Sequence, residues 1–378
     1  MGNLLVSTSK KIIDHANPHT VKKFELIEKY VRTWAQKLLQ NQYCDGIVFI
    51  DCMSNSGEYI DDDGKQIFGT PVRVAKYLRE AAGQYYGKQI DLYFNDLAKE
   101  KTEHLASLMP KESGNFHCHI STGDGNELAK QLGQSIDANK HKHYLLIYDP
   151  YQATIDWNSI LPYLNNWCEI IINHMVSDSM RAVKMVKKDE ARSKYEQTYL
   201  TELENLIPYG SDKTAYENRI KDIIKTLRKN NSRKYYIAAF PFFNEKNAIV
   251  YNLIHCTSNL KGFQLYKKSA WQTFGGKSST KNTHGKEHQI MLDFDGKGFF
   301  TTATDEFCYY IKDIAEYLQD VFDGQSNVPF NKLWEVLDEH PIFPSDGYRN
   351  DIKNELKNNF NAIFTRSNVS FVHRGVAK

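Results

Sequence analysis

The chain has 378 residues, 41% of them apolar and 25% charged, with a formal net charge of +2. That length predicts one large domain plus an appendage or insertion, and the composition excludes a disordered polyelectrolyte. Six cysteines, at positions 44, 52, 118, 168, 256 and 308, form no CxxC pair, so reduced thiols are expected rather than a disulfide framework or a zinc site. No apolar run approaches bilayer length, and the opening MGNLLVSTSKK lacks a secretory core. The expectation is a cytoplasmic protein with no membrane partner.

Residues 18–40 place Phe24, Ile27, Val31, Trp34 and Leu38 at helical spacing behind a Pro-His-Thr start, which predicts an amphipathic helix. GIVFID at 46–51 is a continuous apolar run suited to a strand buried on both faces. After the loop MSNSGEY and the acidic turn DDDGK, TPVRVAKYLREAA reads as a helix with Pro71 in its first turn. The alternation repeats: strand 90–96 and helix 97–109, strand 116–122 and helix 126–137, strand 143–150 and a short helix at 157–165, then strand 168–174. Such spacing implies βαβ units and a parallel sheet.

Residues 176–230 break the pattern with charged, tyrosine-bearing helical sequence, read as an insertion with a solvated face. KYYIAAFPFF and NAIVYNLIHCTS then predict a closing antiparallel pair joined at Asn244–Asn247. Residues 261–304, rich in Gly, Ser, Thr and Lys, are expected to form an exposed loop. The tail from 305 to 378 predicts helices at 305–322, 329–339 and 347–359, with FTRSNVSFVHRG as a final hairpin. Helix, helix, hairpin is compatible with a small winged-helix domain.

Candidate chemistry gathers at the strand ends. Asp51 closes the first strand, and Ser54, Ser56 and Gly57 in the loop beyond it are small enough for a cofactor to approach the main chain. An ordinary strand-to-helix loop explains them as well. Asp96 ends the second strand, where a carboxylate can accept from ribose hydroxyls or cap the helix at Leu97. Asp124, between Gly123 and Gly125, can meet an adenine amine or form an Asx turn. After the fourth strand, Asp149 and the Pro150 carbonyl can hold an exocyclic NH2 while Tyr151 stacks on its base; the alternative is a stiff turn with a packed tyrosine. His174 can be a base or a satisfied strand-end residue. Phe274 to Ser279 lacks the phosphate-loop spacing and follows no buried strand.

At these positions the chain resembles the three-Cys-motif partner protein (TcmP) family. The order of features carries the likeness: Tyr30 to Trp34, then Asp51-Cys52-Met53-Ser54-Asn55-Ser56-Gly57-Glu58-Tyr59, then Gly69-Thr70-Pro71, then Asp149-Pro150-Tyr151 with Trp157 following. It spans roughly 20–270. The resemblance implies a prokaryotic α/β protein with a Rossmann-like methyltransferase fold, a mostly parallel sheet with a closing antiparallel strand. It implies S-adenosylmethionine as cofactor, a three-Cys-motif radical-SAM-type protein as partner, and a link with mobile elements or phage defence. Here Met-Ser-Asn-Ser-Gly replaces the family's Phe-Ala-Gly-Pro-Gly, and the lost glycine stiffens the loop.

The expected organisation is a methyltransferase-type domain over 1–260 with a helical insertion at about 176–230, the loop region 261–304 and the C-terminal domain 305–378. The expected function is methyl transfer to an exocyclic amine of a nucleobase. Asp51, Ser54, Ser56, Gly57, Asp96 and Asp124 hold the cofactor, and Asp149, Pro150 and Tyr151 orient the amine. Two further readings stand beside it. One is a non-catalytic partner with a degenerate methyltransferase fold. The other is a nucleic-acid-binding accessory using the tail and the lysines at 267, 268, 277, 281 and 286.

Overall fold

A computed structural model describes residues 12–136, 141–151, 153–179, 189–206, 213–228, 233–281 and 308–373. The chain divides into two compact units, 1–149 and 150–378.

The first unit is built on four parallel strands: β2 (Gly46–Asp51), β5 (Gln89–Asp96), β6 (Phe116–Thr122) and β7 (Lys142–Tyr148). Their order is β6-β5-β2-β7, so the direction of winding reverses at β2. Every residue of β2 is buried, as its unbroken apolar run requires. The helix α1 (Pro18–Leu39) buries Phe24, Ile27, Tyr30, Val31 and Trp34 along one stripe and packs on α2 (Thr70–Ala82). Burying each such side chain contributes roughly 1.5–3 kcal/mol, and Pro18 and Pro71 fit the first turns of these helices. The helices α3 (Lys99–Leu108) and α4 (Gly125–Gly133) follow β5 and β6. Between β2 and α2 the chain adds β3 (Glu58–Ile60) and β4 (Gln66–Phe68), which form a small separate sheet with β1 (Asp14–His15) in the order β1-β3-β4. The pairing of β1 with β3 is parallel.

The second unit opens with α5 (Trp157–Ile160) and a 3-10 turn at Leu161–Tyr163, in place of one longer helix over 157–165. Strands β8 (Cys168–His174), β10 (Ile249–Thr257) and β9 (Tyr236–Phe243) then pair antiparallel in that order. Within the stretch 176–230 lie α6 (Asp189–Tyr199) and α7 (Lys213–Leu227). The segment expected as a loop from 261 begins instead as α8 (Leu260–Thr273). Asn259 caps it by accepting from the amides of Lys261 and Gly262, and Phe263, Tyr266, Ala270 and Trp271 form its buried stripe. Of the expected loop 261–304, residues 282–304 lie outside the described residues.

The last elements are α9 (Ile311–Val321), β11 (Val328–Pro329), α10 (Phe330–Glu339), α11 (Arg349–Asn359), β12 (Ile363–Phe364) and β13 (Asn368–Ser370). The three short strands pair in the order β11-β13-β12, and α9 packs on α11. The whole is mixed α/β. No helix among the described residues is long and apolar enough to cross a membrane.

Candidate functional site

The strand register places the acidic bends on one rim of the parallel sheet. Asp51 pairs with Phe94 of β5 and with Ile147 of β7, so Asp96 and Asp149 each stand two residues further along their strands. Asp96 pairs in turn with Thr122, and Asp124 stands two residues beyond that. In open parallel sheets, ligands bind at the carboxyl ends of strands where the winding reverses.

Buried Asn95 ties these bends together. Its side-chain amide donates to the carbonyls of Cys52 (3.1 Å) and Gly123 (2.9 Å), and its Oδ1 accepts from Ser121 at 2.9 Å. Its own carbonyl receives both the amide (2.8 Å) and the hydroxyl (3.0 Å) of Ser54. Across the rim, Tyr148 at the end of β7 donates to Asn126 Oδ1 at 2.9 Å. The Gly125 position lies so close to the Cys52 carbonyl that an added Cβ would sit 2.4 Å from its oxygen. The bends after β2, β5 and β6 therefore form one interlocked surface, with β7 joined to its margin.

Individual residues take different roles within it. Asp51 is only 4% exposed, with its Oδ1 accepting from the Met53 amide at 3.3 Å. Burial first, then the charge of Asp149, raises its carboxyl to about 7; the Met53 amide and Lys23 pull the other way, and Asp96 adds to the rise. Asp96 accepts from the amide of Ala98 at 2.9 Å and from that of Asn55 at 3.1 Å. It thus serves as a local cap and a loop anchor, yet a carboxylate offers about four acceptor sites, so capacity for a ligand remains. Asp124 is exposed at the N-cap of α4 and accepts from the Asn126 amide at 2.8 Å.

Ser54 and Ser56 are 3% and 0% exposed, and their hydroxyls donate to the carbonyls of Asn95 and Glu58. They shape the loop rather than present hydroxyls outward. Gly57 has φ of +75°, and a Cβ there would fall 2.4 Å from Leu105, so glycine is required on both counts. Asn55 adopts φ of 58°, a conformation that asparagine tolerates better than most residues.

Sequence reasoning gave no role to several side chains around this rim, Asn95 among them. Lys23 of α1 reaches Asp149, Nζ to Oδ2, at 2.6 Å. Asp14 of β1 accepts from Asn55 Nδ2 and from the mostly buried Lys101, both at 2.8 Å. Tyr59 packs on Phe24 with ring centroids 4.9 Å apart. Burial, then the charges of Asp149, Asp51, Asp14 and Asp96, hold its phenol well above the ordinary value. A helical lysine among other lysines and a lone early aspartate give no local signal of such partners.

In the second unit, Pro150 is buried and Tyr151 is 83% exposed, which rules out the tightly packed tyrosine of the alternative reading. His174 is buried and bonds Tyr199 at 2.9 Å; burial lowers its imidazole to about 4. Its Nε2 is thus satisfied, while Nδ1 is buried without a hydrogen-bond partner among the described residues. No group of three or more His, Cys, Asp or Glu that could hold a metal exists among the described residues.

No family model matches the chain, and no curated protein does. Among solved structures, the chain is similar to a Legionella pneumophila Philadelphia 1 protein of the DUF519 family model, at 11% identity and a TM-score of 0.38. The match covers 66% of this chain and 90% of that one. It is also similar to a geranyl diphosphate methyltransferase in complex with GPP and sinefungin, at 9% identity, 60% and 76% coverage and a TM-score of 0.19. A loganic acid methyltransferase with SAH gives 7% identity, 68% and 85% coverage and a TM-score of 0.23.

Proposed function

We propose that the first unit carries a Rossmann-like methyltransferase core that binds S-adenosylmethionine, and that the protein methylates an exocyclic amine, with a nucleobase as the acceptor class. The observation that carries this reading is the rim itself. Asp51, Asp96, Asp124 and Asp149 stand at successive strand ends on either side of the reversal in winding, and Asn95 interlocks the loops between them.

The residues fit the cofactor. Asp96 keeps acceptor capacity for ribose hydroxyls, and exposed Asp124 can accept from the adenine amine. Asp51, with its carboxyl raised to about 7, can present an O–H donor or an acceptor near neutrality. Bound S-adenosylmethionine supplies an electrophilic methyl carbon and a thioether leaving group. Asp149 accepts an N–H of the incoming amine and turns its lone pair toward that carbon, with the Pro150 carbonyl as second acceptor and Tyr151 as stacking surface. With the cofactor bound, these residues would hold the amine in line with the methyl group, and the proton released from the methylated amine would pass to water.

Isothermal titration with S-adenosylhomocysteine tests the core of the proposal. Binding by the wild type, weakened at least tenfold by Asp96→Ala, is expected; an absence of heat with the wild type removes it. Transfer of a labelled methyl group to RNA, DNA or free nucleosides then identifies the acceptor.

A second reading is favoured by one observation: Asp149 and Asp96, the two acids with the most direct chemical roles, already bind Lys23 and two main-chain amides. In that reading the chain is a non-catalytic partner of a three-Cys-motif radical-SAM-type protein, as the TcmP resemblance suggests. Co-purification of the two proteins, unchanged by Asp149→Ala, together with silence in the titration, selects it.

A further inference from the structure

We infer that residues 311–373 form a winged-helix module, and that the outward face of α11 with the β12–β13 turn is an interface for duplex DNA. The connection order is helix, short strand, helix, helix, hairpin, and β13 pairs with both β11 and β12. In helix-turn-helix variants, one such helix enters the major groove while flanking elements contact the backbone.

The side chains of α11 sort by face. Ile352 and Leu356 are buried, and α9 packs on this helix. Asn350, Asn354 and Asn358 recur every four residues on the opposite, exposed face, and none of the three bonds another described residue through its side chain. Lys357 is exposed beside them. Arg349 and Lys353 lie on the flank toward α10. Arg349 stands 5.2 Å from the Trp334 ring centroid and Lys353 4.0 Å from that of Phe330, so these rings fix the positions of both cations. The turn after β12 exposes Thr365, Arg366 and Ser367.

Charge is segregated across the module. Residues 308–373 hold ten acids and six bases, yet four of the six bases stand on α11 or the β12–β13 turn, against two acids there, Asp351 and Glu355. Glu355 accepts from Asn359 at 2.7 Å. Asparagine is one of the poorer helix formers, so a solvent-facing row of three lowers helix stability unless the amides meet a ligand. An asparagine amide matches the N6/N7 edge of adenine in the major groove, and flanking cations match phosphates.

Three of the five lysines that sequence reasoning assigned to nucleic acid are engaged within the protein. Lys267 is fully buried, Lys268 pairs with Asp346 at 2.7 Å, Lys277 bonds the carbonyl of Lys281, and residue 286 lies outside the described residues.

Fluorescence anisotropy of the full chain with a labelled duplex of about 21 bp, two helical turns, tests it across a salt series. Wild type should bind with a steep salt dependence. Lys357→Glu with Arg366→Glu should weaken binding about tenfold and flatten the log–log salt slope by about 2, close to 0.9 for each phosphate left unneutralised. Asn350→Ala with Asn354→Ala and Asn358→Ala should keep the salt slope and lose whatever preference the wild type shows when selecting from random duplexes. Circular dichroism melting checks that each variant folds. No anisotropy change with wild type, wild-type binding by the charge-reversed variant, or stronger binding to single-stranded RNA than to duplex DNA would overturn the inference. S-adenosylhomocysteine titration of the same samples reports on the first unit separately.

Discussion

Lys23 and Asp149 are 126 positions apart in the chain and 2.6 Å apart in the fold, Nζ to Oδ2. With side chains only 12% and 27% exposed, they are poorly screened by solvent. A double-mutant cycle with Lys23→Met and Asp149→Asn, read by urea unfolding, should give a coupling of about 1–2 kcal/mol. A coupling near zero would mean that water separates the pair in solution.

Asp51 makes stability depend on pH in the direction opposite to an ordinary salt-bridged carboxylate. Its folded value of about 7 lies above the unfolded value near ~3.9. Between those limits the unfolded chain releases its proton first, so the stability contribution present below the unfolded value is lost as pH rises toward 7. The slope is at most about 1.4 kcal/mol per pH unit. Asp51→Asn keeps the acceptor for Met53 and removes the titration. Its melting temperature should therefore gain on wild type from pH 5 to about pH 7 and level off above that; a constant difference would show that Asp51 ionises normally.

Gly125 and Gly123 lie two residues apart and should respond oppositely to alanine. A Cβ at 125 meets the Cys52 carbonyl at 2.4 Å, while one at 123 meets nothing within 4 Å. Gly125→Ala should cost about 2–3 kcal/mol by forcing the two loops apart, and Gly123→Ala should stay within about 0.5 kcal/mol of wild type. If the rim binds S-adenosylhomocysteine, only the first variant should weaken that binding.

Lys267 Nζ lies within hydrogen-bond distance of four main-chain carbonyls, those of Leu337 (2.8 Å), Asp338 (3.0 Å), His340 (2.7 Å) and Phe343 (3.0 Å), which share its three N–H donors. Two of these close the last turn of α10, where a cation also complements the helix dipole. Burial lowers the amine to about 7, but the carbonyls reward the charged form. Lys267→Met removes the donor and leaves its acceptors buried, which should destabilise the second unit by about 3–5 kcal/mol. Trp271, whose indole donates to the Ile342 carbonyl at 3.0 Å, offers a fluorescence probe for the unfolding.

The strands and most helices were legible because their hydrophobic periods are clean: β2 is unbroken apolar sequence, and α1 repeats its large residues at helical spacing. Asp51, Asp96 and Asp149 were legible as strand ends for the same reason. What those residues do was less visible. A buried serine and a ligand-facing serine look alike in sequence, and only the Asn95 and Glu58 carbonyls show that Ser54 and Ser56 turn inward. Gly, Ser and Lys in and after α8 masked its apolar stripe. Lys267 counted as surface charge because burial of a lysine depends on carbonyls some seventy positions away.

Asp14 gives the first unit a seam far from where its chemistry is written. Through Asn55 it fastens the bend after β2, and through Lys101 it fastens α3. A shortened protein starting at α1 would keep every acid of the rim yet lose this stitch, and would behave as a loop mutant despite an intact set of strand-end residues. Expression designs that trim the N-terminal residues should therefore begin before residue 14.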